Sequence, residues 1–483
     1  MSAESDLSSR RFTHNDQISF AQMSGDWNPI HVDPIAARRT AAGAPVVHGM
    51  HLLLWAIESA ASELAPSSHC VSIRARFLNW TYVGNSVHAH IGPRSDARLR
   101  VTLDSNGVRV MSADLTLNSS PNRVASSQSS SIVEDPSTVP LTLEFSEMKG
   151  RTGTVILTPS AEALSESFAK ARAFLGEAPF IGLLGTTKLV GMICPGMHSI
   201  FSGITADLVP DVSPAGRIDY KVARTDERFR SLTIDVSGSG ISGTIEAFAR
   251  VPPIGQEPIA QVAQVVGREE FSGTRALIVG GSRGLGEFSA KAIAAGGGRV
   301  TITYATGFSD AERIATEIKE SKGTCECIPY DVQRPAEAQL SKLTYAPTAI
   351  LYFATCPIFQ PHRKGFDTAL FERFIQFYVQ GFFEVCRAHQ SVFASPASVF
   401  YPSSVFVDET PRGMTEYAMA KSAGEILCRQ LTKDLTNLRI VALRLPRVAT
   451  DQTTSLIQAQ QSDVAEVMLP ILRRVCGLTL NRD

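Results

Sequence analysis

Two groups of residues in this 483-residue chain could do chemistry by type and spacing. The first lies in residues 20–50, FAQMSGDWNPIHVDPIAARRTAAGAPVVHGM. Asp26 and His31 are five apart, with Asn28 and Pro29 between them. A carboxylate and an imidazole beside one water form a base–acid pair. One removes a proton from the water, and the other gives a proton to the carbon next to a carbonyl. Pro29 stiffens the loop, and Asn28 can bond to backbone. His48-Gly49-Met50 opens an apolar helical stretch, Val46–Ser62. Backbone N–H groups at a helix start can polarise a carbonyl and hold the enolate that forms.

The second group lies near the other end. Tyr417 and Lys421 are four apart, so a helix puts them on one face. A nearby ammonium favours the phenolate and lets Tyr417 exchange a proton near neutral pH. Ser404 comes 13 residues before Tyr417, after the apolar strand Ser398–Tyr401, and its hydroxyl can bond a carbonyl oxygen. Far upstream, residues 276–286 read ALIVGGSRGLG. Gly280, Gly284 and Gly286 follow a strand and open a helix, with Ser282, Arg283 and Leu285 between them. Glycines there let backbone approach a pyrophosphate, whose charge suits the helix N-terminus.

The length predicts about three domains. Apolar residues at 44% and charged residues at 19% make the chain globular. Lys plus Arg is 46 and Asp plus Glu is 47, a net charge of −1, which argues against nucleic-acid binding. Met1–Arg11 has no apolar signal-peptide core, and no apolar run is long enough to span a membrane. Eight scattered cysteines without a CxxC pair fit a reducing, cytoplasmic setting.

A Ser-rich linker is expected over Asn118–Pro140, and a weaker break at Arg268–Gly273. The expected domains are therefore 1–120, 140–268 and 272–483. In the first, a helix precedes alternating strands at Val71–Phe77, Ser86–Ile91 and Arg98–Thr102, an α+β pattern. In the second, a helical and long apolar stretch, 161–204, precedes strands at Gly216–Val222, Ser231–Val236 and Gly243–Val251. The shared order suggests a diverged duplicate. In the third, strands at Ala276–Val279, Arg299–Tyr304, Cys327–Tyr330 and Ala349–Phe353 alternate with helices, which predicts a doubly wound parallel sheet. A last strand at Leu478–Leu480 ends close to Asp483, so a clipped C-terminal edge is expected. No partner spacing marks His14, His51, His69, His88 or His90 as metal ligands, and no metal site is expected. Cys194 and His198, in LVGMICPGMHSIF, are read as structural.

The run Ser24-Gly25-Asp26-x-Asn28-Pro29-Ile30-His31-x-Asp33-Pro34, with Val47-His48-Gly49-Met50, resembles the MaoC-like (R)-specific enoyl-CoA hydratases over about residues 12–120. The resemblance implies a hot-dog fold in which Asp26 and His31 activate water for syn addition to a trans-2-enoyl thioester, or the reverse dehydration. Gly49 would supply the oxyanion N–H. Some members are double hot dogs with the catalytic pair in one half only. The second domain is therefore expected to be non-catalytic and to widen the acyl tunnel, or else to be an independent thioester-binding module.

Residues 273–483 resemble the short-chain dehydrogenase/reductase family. That implies Tyr417 as proton donor, Ser404 orienting the carbonyl, and Lys421 lowering the tyrosine pKa and contacting the ribose. Asp331-Val332 resembles the family's adenine-contacting pair. A chain that binds a free 2′-hydroxyl usually has an acid after the second strand. Here that strand ends Thr303-Tyr304-Ala305-Thr306, and Arg283 can pair with a 2′-phosphate, so NADPH is favoured. The sequence departs from the family at Val279, at Phe353-Ala354-Thr355, and at Tyr378, where the family often has a relay asparagine.

Together the sites suggest a bifunctional enzyme on acyl-CoA or acyl-carrier-protein thioesters. It would reduce a 3-oxoacyl thioester and interconvert (R)-3-hydroxyacyl and trans-2-enoyl thioesters, in fatty-acid-like or polyketide-like metabolism. Both families lead us to expect a homo-oligomer. Two alternatives stand beside this reading: a working hydratase with a degenerate reductase, and a non-catalytic acyl-thioester scaffold.

Overall fold

A computed structural model describes residues 5–65, 67–92, 97–118, 137–160, 162, 164, 167–209, 216–358, 365–450 and 462–477. Most of the Ser-rich stretch and the strand expected at Leu478–Leu480 lie outside the described residues. The chain forms two compact units, which meet in sequence between Pro252 and Pro253. That seam lies ahead of the expected break at Arg268–Gly273. The reason is apolar burial: Ile259, Val262 and Val266 join Phe271 in the core of the second unit.

The first unit holds ten strands in one sheet. The first half supplies β1 (Ser5–Arg11), β2 (His69–Phe77), β3 (Ser86–Ile91), β4 (Arg98–Ser105) and β5 (Val108–Asn118). The second half supplies β6 (Thr152–Ile156), β7 (Ser199–Leu208), β8 (Arg217–Asp226), β9 (Ser231–Gly238) and β10 (Ile241–Ala249). Their order is β1-β3-β4-β5-β2-β7-β10-β9-β8-β6. Counted from either outer edge, each half runs first, third, fourth, fifth, second. The halves thus repeat one topology and meet where β2 pairs antiparallel with β7. This is a double hot-dog architecture.

Period-two patterning sets the faces. In β8, Ile218, Tyr220 and Val222 are buried while Asp219 and Lys221 are exposed. The helix Gly49–Ala61 is buried on nearly every side, from Met50 through Ile57, and so reads as an apolar run rather than a stripe. One continuous core runs under both halves, from Phe12 and Phe20 to Phe180 and Ile245. The apolar stretch 161–204 differs from expectation. It contains the helices Ala169–Leu175 and Glu177–Lys188 and a π-helical turn, Leu189–Ile193. Its end is the start of β7.

The second unit holds six parallel strands: β11 (Arg275–Val279), β12 (Arg299–Tyr304), β13 (Thr324–Pro329), β14 (Ala349–Tyr352), β15 (Ala397–Ser404) and β16 (Leu438–Leu445). The order β13-β12-β11-β14-β15-β16 is that of a dinucleotide-binding sheet. Ala276 and Ile278 face one apolar core, and Leu277 and Val279 face another. A strand covered on both faces has no polar side, which explains its unbroken apolar run. Among the described residues, no helix is long and apolar enough to cross a membrane.

Candidate active sites

The helix His14–Ser24 ends at Gly25, whose φ of 70° suits glycine and turns the chain sharply. Asp26 follows, almost fully buried. Its Oδ1 accepts from the Asn28 backbone N–H at 3.2 Å. Asn28 caps the short helix Pro29–Val32, accepting from Ile30 N at 3.2 Å. His31 lies in that helix, and its Nδ1 meets the Val46 carbonyl at 2.7 Å. A carbonyl only accepts, so Nδ1 carries the proton and Nε2 keeps a free lone pair. Gly49 is the first residue of its helix, where an N–H has no intrahelical acceptor. A Cβ on Gly49 would press on the Phe77 ring at 3.2 Å.

Burial pushes the Asp26 carboxyl up to about 6, against the pull of the Thr187 hydroxyl and the Asn28 N–H. Burial also pushes His31 down to about 4, helped by the charge of Arg250 and opposed by the Val46 bond. Near neutral pH His31 is therefore a neutral acceptor beside a carboxylate of raised basicity.

Sequence reasoning missed several residues of this site. His48 stacks on His31 with ring centres 3.8 Å apart. Its Nε2 donates to the Asp26 carbonyl at 3.0 Å. The second half closes over the catalytic loop. Thr187 Oγ1 donates to Asp26 Oδ2 at 2.6 Å. Asn28 Nδ2 donates to Gly191 O at 2.8 Å and Gly196 O at 3.1 Å. Trp27 N donates to Met192 Sδ at 3.2 Å. A Cβ on Gly191 would collide with Asp26 Oδ1. The signal was the unusual segment LVGMICPGMHSIF, whose glycines and methionines do this work. Cys194 is buried and its thiol is pushed up to about 11, so it is no nucleophile. His198 is held down to about 4 by burial and by Arg250 and Arg230.

Asp26, His31 and His48 each offer one ligand atom, all within 4.8 Å of one another. The geometry suits protons better than a metal. His48 Nε2 is committed to a carbonyl, and the lone pairs of two stacked rings run side by side instead of converging.

In the second unit, Ser404 ends β15, and Tyr417 and Lys421 lie on the helix Thr415–Asp434. The structure brings the three together. The Ser404 hydroxyl, which accepts from Phe406 N at 3.2 Å, also favours the ionised form of Tyr417. Lys421 Nζ donates to the Pro402 carbonyl at 2.7 Å and stands over the rings of Tyr378, Tyr401 and Tyr417. One expectation needs correction. Burial pushes Tyr417 up to about 12, and only the Ser404 hydroxyl pulls it down. Lys421 itself is lowered to about 7 by burial, and its ammonium sits 5.7 Å from the Tyr417 ring centre. Desolvation outweighs the expected depression of the tyrosine.

The glycine loop is held by Thr303. Gly280 N donates to its Oγ1 at 3.1 Å, and Gly281 N to its carbonyl at 3.0 Å. At Gly280, φ is +83°, and a Cβ would lie 2.8 Å from Ala354 N. A Cβ on Gly286 would collide with Gly280 O. Gly281, unassigned in the sequence, is as tightly placed, 2.7 Å from the Ile302 Cβ. Arg283 immediately precedes the helix Gly284–Ala295, with Leu285 in its first turn and buried Ser282 before it. Asp331 Oδ1 accepts from Gln333 N at 2.9 Å, and Val332 packs near Gly381.

Residues 4–102 match the MaoC like domain, and residues 274–461 match the short chain dehydrogenase family. The chain joins a MaoC-like domain to a short-chain dehydrogenase domain. A stretch of 44 residues is 48% identical to the (R)-specific enoyl-CoA hydratase of Aeromonas caviae, covering 9% of this chain and 33% of that protein. A 93-residue stretch is 25% identical to the peroxisomal hydratase-dehydrogenase-epimerase of Saccharomyces cerevisiae, covering 19% of this chain and 10% of that one. These matches span a third or less of either relative. A short chain dehydrogenase from Burkholderia cenocepacia J2315, solved with NADP, is 21% identical over 44% of this chain and 95% of its own, with a TM-score of 0.38.

Proposed function

We propose that this MaoC-like–dehydrogenase fusion is a bifunctional enzyme on acyl-CoA or acyl-carrier-protein thioesters. It reduces a 3-oxoacyl thioester with NADPH and interconverts the (R)-3-hydroxyacyl and trans-2-enoyl thioesters. The catalytic hot dog is residues 1–120. The second, without an Asp–His pair, starts near residue 140 and supports the first. The reductase fills the second unit. The eight free cysteines suit a reducing, cytoplasmic setting, and the two family resemblances suit a homo-oligomer.

One observation carries the hydration step. Asp26 and His31 bring a carboxylate oxygen and a ring nitrogen within 4.8 Å of each other, a separation one water can bridge. His31 Nε2 accepts one O–H and turns the water. The Asp26 carboxylate takes the other proton, and the hydroxyl adds to C3. The Gly49 N–H holds the enolate oxygen, and neutral Asp26 returns the proton to C2. The pair ends as it began, and dehydration is the reverse.

The residues of the second unit fit a dinucleotide: without Cβ atoms Gly280 and Gly286 let the loop backbone pack tightly at the helix start, whose N–H groups suit a pyrophosphate. Gly280–Gly286 would hold the diphosphate, Arg283 a 2′-phosphate, and Asp331-Val332 the adenine. When bound, the dinucleotide supplies the reducing equivalent. Ser404 Oγ donates to the 3-oxo oxygen, and Tyr417 protonates it. Lys421, lowered to about 7, exchanges its proton near neutral pH and resupplies the tyrosine.

The test is mass spectrometry of crotonyl-CoA with the protein and NADP+. Gain of one water, then loss of two hydrogens, supports both sites. Tyr378, in the place of the relay residue, favours a second reading in which only the hydratase works. Gain of water alone, with NADPH still bound, selects that reading. An unchanged thioester on both CoA and a carrier protein overturns both.

A further inference from the structure

The half without a catalytic pair reaches the catalytic carboxylate. Thr187 is in the last turn of the helix Glu177–Lys188, which continues into the π-helical turn Leu189–Ile193. A π turn widens the helix locally and often marks a functional site. Here it brings the Gly191 backbone against Asp26 Oδ1 while the Thr187 hydroxyl meets Oδ2 at 2.6 Å. Both residues are buried. The two oxygens of Asp26 therefore differ. Oδ2 is taken by a strong donor, whereas Oδ1 has a longer bond from the Asn28 N–H at 3.2 Å and is the oxygen left for water.

The charged and titratable groups around Asp26 offer no substitute for that donor. His31 is committed at Nδ1 to Val46 O, and His48 Nε2 to the Asp26 main-chain carbonyl. The Lys188 ammonium donates to Ile156 O at 2.9 Å, and its stem packs on Gly25. Arg250 donates to Ser199 O at 3.2 Å and Met197 O at 3.0 Å. No cation pairs with the Asp26 carboxylate among the described residues, so hydrogen bonds alone oppose the cost of burying its charge.

We propose that Thr187 is a positioning residue for the hydration: its hydroxyl keeps Asp26 ionised and fixes which carboxylate oxygen faces the water. The second hot dog then sets the base of the first. This rests on the reading of Asp26 as the base.

The experiment uses the full chain with Thr187→Val, Thr187→Ala and Thr187→Ser. Hydration of crotonyl-CoA is followed against pH, and the Asp26 carboxyl is titrated by 13C NMR, assigned by its loss in Asp26→Asn. Losing a hydrogen bond to a charged group raises the Asp26 midpoint by about one pH unit or more. Val and Ala move the acid limb of kcat/KM upward by that amount, with a loss of about fivefold or more at pH 6 and a near-normal rate at pH 8. KM is unchanged, and Ser restores the profile. A midpoint and limb that stay in place in both Val and Ala overturn the inference. A moved midpoint in a chain that hydrates nothing supports it and overturns the functional reading instead.

Discussion

The Lys421 ammonium lies 3.9 Å from the centre of the Tyr378 ring. Tyr378 is fully buried in the π-helical turn Gln376–Gln380, and its hydroxyl meets Thr355 Oγ1 at 2.5 Å. Where the resemblance gives an asparagine, this chain has a cation–π seat. Such a contact is worth up to about 2 kcal/mol when desolvated. The ring favours the charged amine, so removing it lowers Lys421 further below about 7. Tyr378→Leu is expected to cost about tenfold in 3-oxoacyl reduction and to move the alkaline fall of kcat to lower pH. Tyr378→Phe keeps the ring and stays within about threefold. The pH profiles of the two variants check this. Equal losses in both would show that the hydroxyl, not the ring, matters.

The hydration rate should rise with pH through about 6, as Asp26 ionises, and stay level above it, since His31 is neutral above about 4. Stability runs the other way. An acid whose folded pKa is raised binds protons more tightly in the fold, so its contribution improves as pH falls from about 6 to 3.8. Ionised Asp26 at pH 7 costs the fold about 3 kcal/mol, at roughly 1.4 kcal/mol per unit. His31 opposes this: its folded value is lowered, so its contribution is lost as pH falls from 6.5 to about 4. Asp26→Asn removes the buried charge and leaves an acceptor for Thr187. Its expected signature is hydration down by about 100-fold or more and a melting temperature higher by roughly 5 °C at pH 7, with the gain shrinking by pH 5. Calorimetry at two pH values reads it.

Gly191 tests the contribution of the second half while every catalytic side chain keeps its chemical identity. A methyl there must displace the Asp26 carboxylate. Gly191→Ala is expected to lower hydration by about 100-fold, the scale of a small misplacement of a reacting group. NADPH binding, measured by fluorescence, is expected to stay intact. A variant that hydrates normally would mean that Asp26 tolerates the shift.

What the sequence reveals follows the range of each interaction. Tyr417 and Lys421 share one helical turn, and Ser404 ends the strand before it, so local spacing was enough. Asp26 and His31 flank one short cap built by Asn28 and Pro29. Thr187 and Asp26 are 161 residues apart, and the packing of the two halves, joined where β2 pairs with β7, brings them together. β1 was invisible because SDLSSRR is a mostly exposed edge, held by backbone pairing to β3 with no apolar alternation. β7 was hidden in an apolar run that helix and strand share.

Arg283 is expected to separate the two nicotinamide dinucleotides. It stands directly before the helix Gly284–Ala295, in the loop that follows β11. The neighbouring β12 ends at Tyr304 and runs on through Ala305 and Thr306, with no acid to hold a free 2′-hydroxyl. A guanidinium–phosphate bond is charge-assisted and worth about 1.5–3 kcal/mol. Serine is a preferred helix cap, so Arg283→Ser removes the charge while leaving the helix start supported. NADPH binding should weaken by about 10- to 100-fold and NADH binding by no more than about threefold. Fluorescence titration of both dinucleotides against wild type and variant decides it. Equal weakening of both would place Arg283 on the shared diphosphate, and no change in either would move phosphate recognition elsewhere in the loop.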